Sequence, residues 1–211
     1  SARRERVRMC RRLRKIKVAD FLNVAGSERA DNPRSENDNR SAAVRECGEC
    51  TACCEGWLAD EELDMYAGKA CAHCRSEGCA IYEARPEEPC RTFRCAWLQD
   101  EEAFPEEMRP DRCGAIVLSA RYWKEWNVMR AMPVGPVIPD ATLEWLRLHT
   151  KSKDVPLIFY ERGLVDGVYT QTDRQRAYGS PEFAAAIHEV VLRFGDAKET
   201  LFTQDDVVKF S

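Results

Sequence analysis

The chain has 211 residues, with 32 Lys+Arg against 36 Asp+Glu and a formal net charge of −4, a length that fits one domain or one and a half at the usual ~100–200 residues each. Its 44% apolar content excludes a wholly disordered chain, and 11 cysteines exclude an ordinary hydrophobic-core enzyme as the full description. No stretch approaches the ~18 apolar residues of a membrane span, and residues 1–17 are charged rather than apolar, so no secretory signal is expected.

Charge is unevenly spread. Residues 1–46 carry 13 basic and 7 acidic side chains, whereas 47–211 carry 19 basic and 29 acidic. Nine basic residues fall within 1–17, opposed only by Glu5. Val7, Leu13, Ile16 and Val18 are interspersed, which predicts a basic amphipathic helix or arm over 1–25. Such an arm suits an acidic protein, nucleic acid or an anionic membrane, is similar to an organelle transit sequence, or lies against the chain's own acidic surface. Residues 26–45 are turn formers with almost no apolar side chain larger than alanine, and read as a flexible linker.

A cysteine-rich module is expected over 46–113, irregular apart from a helix-like stretch at Asp60–Ala67. Beyond it, 114–211 reads as a small α+β domain. Ala115–Arg121 and Asn127–Met132 are expected strands around a turn at Trp123–Trp126. A helix follows with Asp140 as N-cap and Leu143, Trp145 and Leu146 on its apolar face. Val155–Tyr160 and Leu164–Thr170 form a second expected hairpin about Glu161-Arg162-Gly163. Ser180-Pro181 starts a second helix, in which Phe183, Ile187, Val190, Val191 and Phe194 repeat at helical spacing before Gly195. The economical packing is one antiparallel sheet with both helices on one face.

The chemistry lies in the cysteines. Cys47-Gly-Glu-Cys50-Thr-Ala-Cys53-Cys54 is followed by Cys71-Ala-His73-Cys74, Cys79, Cys90 and Cys95. A C-x2-C knuckle turns two thiolates toward one ion, and a bound cation lowers the thiol pKa values, coupling uptake to folding. The odd count, the clumping and the lack of an export signal predict a reducing compartment, the cytoplasm, with metal-binding or redox thiols rather than disulfides. Cys47/Cys50 with Cys71/Cys74 spell C-x2-C-x20-C-x2-C, near zinc-site spacing, and nine thiols with His73 suffice for two tetrahedral zinc sites. C-x2-C-x2-C is also the spacing with which ferredoxin-type loops hold three corners of an iron–sulfur cluster. Zinc and iron–sulfur stand level. Adjacent Cys53 and Cys54 diverge, so one of them is expected at a second site, a remote half-site, or in packing.

CGECTACC followed by C…GCAIYEARPEEPCRTFRC resembles the CxxCxxCC (YkgJ-like) cysteine-cluster family of zinc- or iron-chelating proteins, over roughly residues 46–98. The resemblance implies metal chelation through Cys47, Cys50, Cys53, Cys54, Cys71, Cys79, Cys90 and Cys95. Cys74 and His73 lie inside the block. A related cluster in flagellin lysine methylases implies an iron–sulfur centre, but this chain has no S-adenosylmethionine-binding pattern.

Other candidates read more plainly. Cys10 and Cys113 are expected as buried or incidental thiols. His149 and His188 have no carboxylate or serine partner in the pattern and read as structural. Trp57 and Trp97 are expected to pack over the sulfurs, Arg91 and Arg94 to offset thiolate charge, and the acidic run 100–107 to be a solvated face. No nucleotide, hydrolase or metalloprotease motif occurs, and no small-molecule substrate is identifiable. Three functions follow: an accessory or structural metal-binding protein; a redox or Lewis-acid metalloenzyme; and a zinc-knuckle nucleic-acid module using the Arg-rich arm. The metal set is Cys47, Cys50, Cys53, Cys54, Cys71, Cys74, Cys79, Cys90 and Cys95, with no catalytic residue assigned.

Overall fold

The structure, a computed structural model, describes residues 45–194 and 207–209. The basic arm, the linker except Arg45, Cys10 and Gly195 lie outside the described residues.

The fold is α+β. A two-stranded ribbon, β1 (Cys74–Arg75) and β2 (Gly78–Cys79), lies in the cysteine module. The larger sheet holds β3 (Ala115–Trp123), β4 (Trp126–Pro133), β5 (Leu157–Val165), β6 (Val168–Gly179) and β7 (Val207–Lys209), side by side in chain order. Four α-helices lie among the described residues: α1 (Ala96–Gln99), α2 (Pro110–Cys113), α3 (Asp140–Ser152) and α4 (Pro181–Phe194).

Both expected hairpins form, β3–β4 and β5–β6, each antiparallel. They join through parallel pairing of β4 with β5, and β6 pairs parallel with β7, so the sheet is mixed rather than wholly antiparallel. A parallel pair needs a crossover, and α3 and α4 supply the two crossovers. Right-handed crossovers stepping the same way from oppositely directed strands place their helices on opposite faces. The contacts agree. On α4, Phe183 meets Trp123 and Trp126 at 5.5 and 5.3 Å between ring centroids. On α3, Arg147 lies over Phe159 and Tyr178, at 5.9 and 5.6 Å. Trp126, Val128 and Arg130 alternate onto one face, and Arg130 registers with Ile158, leaving Phe159 and Tyr178 on the other. The expectation of both helices on one face is therefore corrected.

Burial on both faces explains the strand sequences. Every described residue of β4 from Val128 to Pro133 is buried, as are Leu157–Tyr160 of β5, the continuous apolar reading of a two-sided sheet. Arg130 is the charged exception in β4; its guanidinium donates to the Tyr122 carbonyl at 3.3 Å.

Some local expectations shift. The second hairpin turns at Asp166-Gly167, with φ of 51° and 76°, rather than at Glu161–Gly163. Asp-Gly tolerates two successive left-handed residues, as a tight hairpin requires, and Arg162–Leu164 is instead a register irregularity within the strands. Pro139, not Asp140, occupies the N-cap of α3, and Asp140 is its first residue. Ser180 does cap α4, its hydroxyl accepting from the Phe183 N–H at 3.3 Å. The Asp60–Ala67 stretch is a turn: Asp60 pairs with Met65, and the Asp60 carboxylate accepts from the Leu63 N–H at 2.9 Å.

The cysteine module and the sheet share one hydrophobic core. Ala52, Cys95, Ala96, Trp97 and Phe104 join Ile116, Val128, Leu146, Leu157, Ile158 and Phe183 in a single buried cluster. Arg162 ties the two together, donating to the Trp57 carbonyl at 2.5 Å, while the Trp57 ring meets Tyr169 edge-on at 5.3 Å.

Candidate metal centre

The block begins with a tight turn, in which the Cys50 N–H donates to the Cys47 carbonyl at 2.9 Å. A wide helical turn over Cys53–Trp57 follows, closed by Gly56 at φ 87°. Only glycine fits there, because a Cβ would stand 2.2 Å from the Tyr66 carbonyl oxygen and 2.5 Å from that of Lys69. Successive residues on a helical backbone point roughly 100° apart, so Cys53 and Cys54 are turned in different directions.

On the Cys54 side, backbone hydrogen bonds assemble the partners. The Cys71 N–H donates to the Cys54 carbonyl at 2.8 Å, and the Cys74 N–H to the Cys71 carbonyl at 3.0 Å. Cys74 then registers with Cys79 across β1–β2. On the Cys53 side the core does the placing: Cys95 is 3% exposed, and Cys50 and Cys53 pack against the same buried cluster. All nine cysteines from Cys47 to Cys95, together with His73, line one cavity of about 100 Å³. Leu58, Ile81 and Phe93 contribute apolar wall.

Burial is the main influence on these thiols. It pushes Cys53 well above its ordinary value, and the neighbouring sulfurs of Cys95, Cys50, Cys47 and Cys54 add to the shift, in that order. Cys54 is pushed up to about 12, first by burial and then by Cys74, Cys79, Cys71 and Cys90. Cys50 rises to about 11 by burial. Burial also raises Cys47, against the opposing charges of Arg85 and Arg94. Cys74, Cys90 and Cys95 are raised too, again chiefly by burial. Without a cation these are protonated thiols, each carrying a desolvation cost against ionising.

Among the described residues, no group of three or more His, Cys, Asp or Glu side chains is closed into a metal-holding set. The donor chemistry nevertheless fits a thiophilic metal. All nine block cysteines line one cavity, a concentration of soft ligands that suits a thiophilic ion.

The remaining candidates separate clearly. Trp97 lines the cavity, with Arg45 over its ring at 4.9 Å, whereas Trp57 turns to Tyr169 and Arg162 instead of covering the sulfurs. Arg94 opposes the Cys47 shift and donates to the Leu98 carbonyl at 2.9 Å, while Arg91 is engaged by the carbonyls of Arg85 and Glu83. Cys113 lies outside the cavity, buried and donating toward the Met108 and Ala115 carbonyls at 3.4 and 3.3 Å. His149 stacks on Trp145 at 4.7 Å, and His188 is exposed on α4. In the acidic run, Glu106 pairs with Arg109 and Arg112 at 3.4 and 3.1 Å.

One residue escaped sequence reasoning. Asp111 lies beside Cys50, and Arg109 grips its carboxylate with two N–H bonds at 2.7 and 2.9 Å. Burial tends to raise the Asp111 carboxyl; the Arg109 hydrogen bond and charge outweigh it and hold it below the usual carboxylate range. No spacing signal links Cys50 to Asp111.

No family model, curated protein or solved structure matches the chain. No helix among the described residues is long and apolar enough to cross a membrane.

Proposed function

We propose that this chain is a metal-binding cysteine-cluster protein of the CxxCxxCC type, holding zinc or an iron–sulfur cluster, with an accessory or structural role. The observation that carries the reading is the convergence of all nine block cysteines on one cavity that is continuous with the protein's core. Cys47, Cys50, Cys53, Cys54, Cys71, Cys74, Cys79, Cys90 and Cys95 are the proposed ligands, with His73 beside them. A bound metal would supply the positive charge that makes thiolates tenable there, so uptake requires the thiols to deprotonate and rotate onto it. Cytoplasmic placement fits this chemistry, since a reducing compartment keeps such thiols free. For the basic segment 1–17, an acidic protein or nucleic acid is the proposed partner, supported by its nine positive charges.

The test is stripping with a chelator under anaerobic conditions, followed by hydrogen exchange. Loss of protection concentrated in residues 46–98 is the expected result. Unchanged protection after complete treatment, in protein that held no metal beforehand, would sink the reading.

A further inference from the structure

We propose that the adjacent thiols Cys53 and Cys54 divide the block into two separate metal sites, an inner one of Cys47, Cys50, Cys53 and Cys95 and an outer one drawn from Cys54, Cys71, Cys74, Cys79 and Cys90. The inference rests on the metal reading above and adds to it the number of sites and the membership of each.

Three independent features of the fold draw the same line. The helical turn that carries both residues aims their side chains apart. The backbone chain of bonds from Cys54 through Cys71 to Cys74, and the Cys74–Cys79 pair, gathers one group on the ribbon. Cys50, Cys53 and Cys95, by contrast, are set by the hydrophobic core that also contains Trp97 and Ala52. Cys47 belongs with Cys50 through the tight turn in which the Cys50 N–H donates to the Cys47 carbonyl at 2.9 Å.

The chemistry of each group is complete in itself. The inner group supplies four sulfurs, the number a tetrahedral thiophilic centre takes. Three of them come from a C-x2-C-x2-C run and the fourth, Cys95, from a distant segment, which also suits a cluster with a remote fourth ligand. The outer group holds five sulfurs, one more than such a centre needs. The division separates Cys47/Cys50 from Cys71/Cys74, which their spacing alone would join in one zinc site.

Native mass spectrometry of the full-length chain, purified without oxygen in the presence of Zn2+, tests this directly. The wild type is expected to carry two metal centres, Cys53→Ser one, and the double variant Cys54→Ser/Cys71→Ser, which leaves the outer group three sulfurs, also one. A wild type with one centre leaves the metal reading standing and overturns the division. A wild type with none overturns both.

Because either variant can disturb folding, a second measurement uses the wild type alone. Partial chelation to one centre per molecule, alkylation and fragmentation should find each singly loaded molecule gaining protection, relative to the fully stripped chain, within one group only. Gained protection spanning both groups in the same singly loaded molecule contradicts the division.

Discussion

The main-chain N–H of Cys71 donates to the carbonyl of Cys54 at 2.8 Å. That bond pins the start of the second cysteine segment to the end of the first, and the Cys74 N–H continues it to the Cys71 carbonyl. Backbone pairing therefore holds these cysteines near one another, so a metal bound by them is coupled to the folding that makes these bonds.

Gly56 guards this arrangement. Its φ of 87° and the carbonyl oxygens of Tyr66 and Lys69 leave no room for a side chain. Gly56→Ala is expected to destabilise the protein by about 2–3 kcal/mol, since strain and a backbone clash add. Urea unfolding checks this; an unchanged midpoint would contradict the close packing.

Cys113 is outside the metal set by position. Burial pushes its thiol up to about 11, so it should resist alkylation at pH 8 until the protein unfolds. Cys113→Ala is expected to cost about 1 kcal/mol from lost packing and to leave the metal content unchanged. Metal loss in this variant, without unfolding, would place Cys113 among the ligands.

His149 sets a pH dependence away from the cysteines. Burial first, and the Lys153 charge second, hold its imidazole below the ordinary value. The unfolded chain therefore takes up the proton first, and stability present above about pH 6.5 falls as pH drops toward the folded value. His149→Phe keeps a ring against Trp145 and Phe104 but removes the titration. The melting temperature of the wild type should fall more than that of the variant between pH 7 and 5. Parallel curves would refute this assignment.

Legibility in the sequence tracked the range of the interactions. Alternation, caps and turn residues are local, so both hairpins and both longer helices could be read from nearby residues. The Asp166-Gly167 turn carried its own signal, overshadowed by Gly163. The mixed sheet was not written locally: the parallel pairing of β4 with β5 joins Met129 to Leu157 across α3, and the buried run from Val128 to Pro133 emerges only once both faces are covered. Cysteine spacing identified the block, and the divergence of Cys53 from Cys54 follows from adjacency. Which thiols stand near which could not be read, because Cys95 joins Cys50 and Cys53 through the core and Cys71 joins Cys54 through one backbone bond. The Asp111–Cys50 contact belongs to the same class, since it depends on tertiary packing alone.

The central claim is that the cysteine block holds metal. Metal and labile sulfide stoichiometry on full-length protein prepared without oxygen tests it most directly. The account predicts at least one zinc or one iron–sulfur centre per chain, with sulfide distinguishing the two. Folded protein containing neither metal nor sulfide would contradict it.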